Sequence, residues 1–385
     1  MKKTYLLTPG PTPVPEVISS IFARPLIHHR TPEFQTLFAE VRKGLQYLFQ
    51  TEQDVLTLAC TGTGAMDATV SNLFCKGDEV ITINGGKFGK RWTQIAEVYG
   101  LKPYEITLEP GQSVTPTQVA DAIAAHPAAK AILFQASETS TGVLMPTLDI
   151  VRLVQKAGML SVCDAITACG VFELPMDAWG IDVLITGSQK ALMIPPGLAF
   201  VALSQKAWEA VDRSDLPKFY FNLKKEQKAQ AKNQSAWTPG TSLIQGLQES
   251  LRMIREETLP GIFARHDLLA RATRNGVQAL GLEILAKTAP STAVTAVWVP
   301  SSIREGKLIP KTMRDKYGVT IAGGQDELEG KIFRLSHFGY CDKFDITTGI
   351  SCLELVLHEL GHPVTFGAGV GAVLRTFAEA DAKTK

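Results

Sequence analysis

An α/β fold built on a mostly parallel sheet is the architecture this sequence predicts. Two observations carry that prediction. Between about residues 50 and 205, short apolar runs alternate with stretches of helical periodicity. The strand-like runs are apolar throughout rather than alternating in polarity, as strands covered on both faces must be. A third observation marks a second region: beyond residue 243 the spacing turns to long helices followed by a mixture of short strands and helices, an α+β pattern.

The elements follow in order. Leu56-Thr57-Leu58-Ala59-Cys60 reads as a strand that passes through Thr61-Gly62-Thr63-Gly64 into a helix over 64–75. Glu79–Asn84 is the next strand, rich in β-branched residues, and Gly85-Gly86 turns it into a helix over 87–100. A strand over 101–107 and a helix over 116–126 come next, then the strand Ala131–Gln135. A helix over 147–158 leads to a strand over 159–163, and the apolar run 182–186 is another. After the turn Pro195-Pro196-Gly197, residues 198–203 form a further strand. Leu243, Leu247, Leu251 and Ile254, then Leu268, Leu269 and Val277, set a connecting helix pair. The remainder predicts a strand over 295–299, a helix over 306–317, strands over 319–322 and 331–336, and a helix over 346–360.

A length of 385 residues suggests two or three domains. A net charge of +1 offers no electrostatic basis for binding nucleic acid or a membrane surface. The basic run from Lys224 to Lys232 is broken by polar residues and reads as a solvated face. The apolar stretch near the N-terminus is too short for a signal peptide, and no run approaches membrane-spanning length. The six cysteines are scattered without metal-site or disulfide spacing, so no metal is expected and a reducing cytoplasm is.

In a parallel sheet, ligands bind beyond the carboxyl ends of the strands. Those ends carry Asn84-Gly85-Gly86, Ser137-Glu138-Thr139-Ser140-Thr141-Gly142, Asp164, and Ser188-Gln189-Lys190. Alone, Lys190 would read as a solvated lysine and Asp164 as a helix cap. Together at one rim they are the pair that pyridoxal 5′-phosphate requires: an amine to form a Schiff base with the aldehyde and a carboxylate to keep the ring nitrogen protonated. Thr61-Gly62-Thr63-Gly64-Ala65 opens a helix after a strand, where backbone amides can hold a phosphate. Phe88 lies just past a strand end, where a flat ring could stack on a pyridine or serve the core. Arg334 sits on an otherwise apolar strand and needs a partner, either a structural carboxylate or that of a substrate.

These motifs, with Thr8-Pro9-Gly10-Pro11-Thr12-Pro13 and His29-Arg30-Thr31-Pro32-Glu33-Phe34, resemble the class V, fold-type I pyridoxal phosphate aminotransferases over nearly the whole chain. The likeness is to the alanine/serine–glyoxylate or –pyruvate group. It implies a large cofactor domain over 16–260 with a seven-stranded sheet, a small α+β domain over 261–385, and an N-terminal arm, 1–15, over the active site. It implies that Lys190 forms the Schiff base and Asp164 pairs with the ring nitrogen. Thr63, Gly64, Ala65 and Gln189 would surround the phosphate, Phe88 would stack on the ring, and Thr139 would lie near the ring hydroxyl. Arg334 would clamp the substrate carboxylate beneath Pro9 and Gly10. Thr238, with Thr241 as its substitute, would reach the phosphate of a second subunit, which implies a homodimer with shared sites.

The resemblance further implies ping-pong transamination between a small amino acid and a 2-oxo acid. Two other chemistries of this fold stay open. One is 2-aminoethylphosphonate transamination; the other is cysteine desulfuration, for which Cys341 would be the nucleophile. A third reading is a non-catalytic subunit of a larger complex, against which Lys190, Asp164 and Arg334 argue.

Overall fold

The computed structural model describes residues 3–383. The first two residues of the arm expected over 1–15, and the last two of the region expected over 261–385, lie outside the described residues.

After the short strand β1 (Tyr5–Leu6), helices α1 (Glu16–Ile21) and α2 (Pro32–Phe49) precede the central sheet. That sheet has seven strands, β2 (Val55–Leu58), β3 (Glu79–Asn84), β4 (Lys102–Thr107), β5 (Ala131–Gln135), β8 (Leu160–Asp164), β9 (Val183–Gly187) and β10 (Ala199–Leu203). A small ribbon, β6 (Ser137–Glu138) with β7 (Val143–Leu144), follows β5. The spatial order is β2-β10-β9-β8-β5-β3-β4. All neighbours are parallel except β10, which runs antiparallel to both β2 and β9. Two reversals restore direction, so β2 points the same way as β9. Five strands that carry loops of interest therefore end on one edge.

The alternation within β3 shows why the sheet must be covered twice. Ile81 and Ile83 belong to one apolar layer and Val80 to the other. The first layer includes Phe34, Phe38, Val41 and Leu45 of α2 and Ile150, Val151 and Val154 of α6 (Thr147–Lys156). Its counterpart includes Ala65, Met66 and Val70 of α3 (Gly62–Leu73), Trp92 and Ala96 of α4 (Lys87–Val98), and Ala207 and Val211 of α8 (Gln205–Arg213). Helices α5 (Pro116–Ala125) and α7 (Met176–Trp179) complete the crossovers, and α9 (Leu223–Gln230) ties to β2 through Gln230.

Two long helices, α10 (Thr241–Glu257) and α11 (Leu259–Ala279), lead to a smaller sheet of β11 (Val294–Trp298), β14 (Ile332–Ser336) and β13 (Ala322–Gly323). The helix expected over 306–317 is a short α12 (Leu308–Thr312) that widens into a π-helical turn through Tyr317. The strand expected over 319–322 is split. Its first half, β12 (Val319–Thr320), pairs with β1, and its second, β13, pairs with β14. Ile321 between them lets one short stretch serve two sheets. Helices α13 (Lys343–Glu359) and α14 (Ala368–Lys383) close this core, in which Leu7, Phe333, Leu335, Leu353 and Val356 meet.

Candidate active site

Five strand-to-loop transitions of the central sheet converge on a cavity of about 190 Å³. Thr61, Gly62 and Thr63 come from the end of β2, Phe88 and Arg91 from α4 after β3, and Ser137 and Thr139 from beyond β5. Asp164, Ile166 and Thr167 follow β8, and Gln189 and Lys190 follow β9.

Asp164 is the last residue of β8 and is 5% exposed. Its Oδ1 accepts the Ile166 N–H at 2.8 Å. Burial pushes its carboxyl up to about 7, partly opposed by that hydrogen bond. Lys190 sits three residues past β9, and burial lowers its amine to about 8 while the Asp164 charge acts in the other direction. Each group thus lies close enough to feel the other's charge. Lys190 Nζ donates to the Pro9 carbonyl at 2.5 Å. The loop is pinned at its other end, where Thr12 Oγ1 donates to the Lys190 carbonyl at 2.8 Å and Thr12 N to the Gln189 carbonyl at 3.1 Å. Gly10 lies against the amine with φ +124°, and a Cβ there would fall 2.3 Å from Lys190 Nζ. No other residue type fits both the backbone angle and the space.

Glu138 organises the wall opposite. It is fully buried, and burial raises its carboxyl. One oxygen accepts from the Ser140 N–H at 3.0 Å and the Ser140 hydroxyl at 2.6 Å. The other accepts the Gly89 N–H at 2.9 Å. The start of α4, with Phe88, is thereby fastened to the loop that carries Thr139. The Thr139 hydroxyl shares a 2.7 Å hydrogen bond with Thr167. Arg334 reaches the same loop from the small sheet: Nη1 donates to the Thr139 carbonyl at 3.1 Å and Nε to the Gly323 carbonyl at 2.9 Å. Burial lowers its guanidinium to about 10, with the Glu138 charge opposing.

The sequence pattern of the family described as aminotransferase class-V matches residues 8–328. The chain belongs to that family. Across 381 residues, 98% of this class-V aminotransferase chain and 99% of the relative, it is 42% identical to a soluble hydrogenase 42 kDa subunit of Anabaena cylindrica. It is 31% identical to an L-aspartate–glyoxylate aminotransferase of Paracoccus denitrificans, covering 98% of this chain and 97% of that one. Among solved structures, the pyridoxamine-pyruvate aminotransferase of Mesorhizobium loti superposes with a TM-score of 0.94 at 26% identity, covering 99% and 98% of the two chains. The fold is the fold-type I arrangement, and the family's cofactor is pyridoxal 5′-phosphate.

The residues present fit that cofactor. Gln189 Oε1 is buried without a partner beside the cavity. The amides of Gly62, Thr63 and Gly64 open α3, where no carbonyl of the helix can reach them. Of the residues singled out from sequence, Lys190, Asp164, Thr63, Phe88, Thr139 and Gln189 line the cavity. Pro9 and Arg334 touch it through Lys190 and Thr139. Gly64 and Ala65 do not line it. Ala65 is turned into the apolar layer and its N–H already donates to the Thr61 carbonyl at 3.2 Å, while the open side of Gly64 faces Cys60 and Phe221. Helical rotation moves each successive side chain away from the rim, and Thr61 and Gly62 line the cavity at this end beside Thr63.

Thr238 lines a different cavity, with Tyr220, Phe221, Ser235 and Trp237, and Thr241 opens α10. Neither reaches Lys190 within this chain. Cys341 is buried in a groove with Met253, Arg265 and His266, and burial raises its thiol strongly. A buried thiol held in its protonated form is not a ready thiolate, which argues against the desulfurase alternative. Thr61 and Gly62 belong to the turn read as a phosphate holder, and the cavity residues given no role from sequence are Arg91, Ser137, Ile166 and Thr167. Arg91 and Thr167 each lie three residues beyond a residue that was foreseen, Phe88 and Asp164, and the i,i+3 spacing on α4 is a signal that could have found Arg91.

Proposed function

We propose that this class-V aminotransferase moves the amino group of a small amino acid, alanine or serine, to glyoxylate or pyruvate. In this reading it works as a cytoplasmic homodimer with shared active sites. The observation that carries the reading is an amine lowered to about 8 and a buried carboxyl at one cavity, with a half-satisfied guanidinium bonded to its Thr139 wall.

Bound, the cofactor supplies an aldehyde that joins the amine and a ring that takes up the electron pair of a broken Cα–H bond. Asp164 keeps a proton on the ring nitrogen. Lys190 takes the α-proton from one carbon and returns it to the other, and an amine near 8 suits it to both tasks around neutrality. Arg334 would hold the α-carboxylate with the N–H groups not already bonded to Gly323 and Thr139, which would orient the substrate's Cα–H bond for removal of its proton. Pro9 and Gly10 lie over the amine and keep water from it.

A matrix of amino donors against 2-oxo acceptors tests this proposal. Turnover is expected with alanine or serine and glyoxylate or pyruvate. Turnover confined to dicarboxylic donors or to 2-aminoethylphosphonate would overturn the substrate assignment. The name of the Anabaena relative favours a second reading, a subunit whose role is association rather than catalysis. That reading predicts a purified protein that is colourless, or inert with every donor.

A further inference from the structure

We propose that Arg91 is the cation that receives the cofactor's 5′-phosphate. The proposal rests on the cofactor assignment and deepens it. Arg91 lines the Lys190 cavity from α4, one turn beyond Phe88. Its Nη1 donates to the Thr63 hydroxyl at 2.9 Å, at the opening of α3. Its guanidinium lies 5.0 Å from the centroid of the Phe88 ring. No carboxylate stands within ion-pair distance of it among the described residues.

A hydroxyl and an aromatic face orient a guanidinium without neutralising it. The Asp164 carboxyl lies near enough to feel the Arg91 charge but makes no ion pair with it, so the guanidinium keeps donors free for an anion from outside the chain. Two candidate anions enter this cavity: the substrate carboxylate and the cofactor phosphate. Arg334 stands with Thr139 and the small sheet, whereas Arg91 stands with Thr63 and the free amides of α3. The two guanidinium groups thus stand on different walls of the cavity, and both charges reach Lys190. A dianionic phosphate at the Thr61–Thr63 end would meet backbone donors on one side and the Arg91 fork on the other. Lys190 is free to be the reacting amine because the phosphate's counter-charge comes from elsewhere.

Pyridoxamine 5′-phosphate and pyridoxamine differ only in the phosphate, and neither bonds covalently to Lys190. Their dissociation constants for the apoenzyme isolate the interaction, read by quenching of protein fluorescence. The wild type is expected to prefer the phosphorylated form. R91Q is expected to lose about 10- to 100-fold in affinity for it, the scale of a charge-assisted hydrogen-bonded contact, with little change for pyridoxamine. R91K should recover part of the loss, because the charge remains and the fork does not. Equal losses for both ligands would mean that Arg91 acts through the Phe88 ring and would overturn the proposal, as would no loss for either. A wild type that does not distinguish the two ligands would overturn the cofactor reading beneath it. Should R91Q fail to fold, the 31P resonance of the phosphate bound to R91K decides: it should shift from its wild-type position and titrate with pH, and an unaltered, pH-independent signal would sink the assignment.

Discussion

Burying the amine of Lys190 disfavours its charged form, and the Asp164 carboxylate only partly offsets that loss. The sign of the pH dependence follows. A folded value of about 8, below the ordinary 10.5, leaves much of the amine neutral at pH 8, where surface lysines remain protonated. Acylation of the apoenzyme across pH, with each lysine followed by mass spectrometry, should give Lys190 a midpoint near 8. Because Asp164 raises the amine's value, D164N should move that midpoint further down; movement toward 10.5 would contradict the geometry. Arg334 makes a different prediction. With two of its donors fixed by Gly323 and Thr139, its remaining N–H groups have one task. R334Q should raise KM for the amino donor by about 10- to 100-fold while the spectrum of the bound cofactor stays unchanged.

At the scale of elements, the arm around Gly10 and the loop around Glu138 each fix a wall of the cavity. G10A places a methyl group 2.3 Å from Lys190 Nζ and asks for φ +124° from a residue that resists it. The expected result is a fall in kcat of at least tenfold with a smaller effect on thermal unfolding, since Gly10 itself lies outside both large apolar layers. The rim was legible in sequence because it is local: Asp164 and Lys190 sit at or just past the ends of apolar runs, and strand direction alone brings such ends together. At the α3 end, Thr63 lines the cavity while Gly64 and Ala65 do not, since a strand-to-helix turn does not announce where the rotation begins. Helix α2 carried its own signal in Thr31-Pro32-Glu33 followed by Phe34, Phe38, Val41 and Leu45, which a reading centred on strand ends passes over. Glu138 was hidden for another reason. Its donors, on Gly89 and Ser140, lie on separate loops that only the folded sheet brings together.

Across the whole molecule, the site joins two layers: Lys190 and Asp164 from the central sheet, Arg334 from the smaller one, with a 3.0 Å ion pair between Lys87 of α4 and Asp326 beside the small sheet. One expected ligand is absent from this junction. Thr238 lies on a segment with Tyr220 and Trp237, whose rings stack 5.7 Å apart, and Phe219 beside them is 73% exposed. If that segment serves the phosphate of a second copy, two defective chains should repair one another in a defined way. A K190A chain supplies an intact Thr238, and a T238A chain an intact Lys190. In a mixed dimer with exchanged threonines, one site unites both defects and the other has neither. Half of the sites should then bind the cofactor with wild-type affinity and turn over normally, although each parent homodimer is impaired. If Thr238 instead acted within its own chain, every site of the mixed dimer would carry one defect and no site would regain wild-type affinity. Cofactor titration of the purified mixed dimer separates the two arrangements, because shared sites give two classes of binding, one of them indistinguishable from wild type.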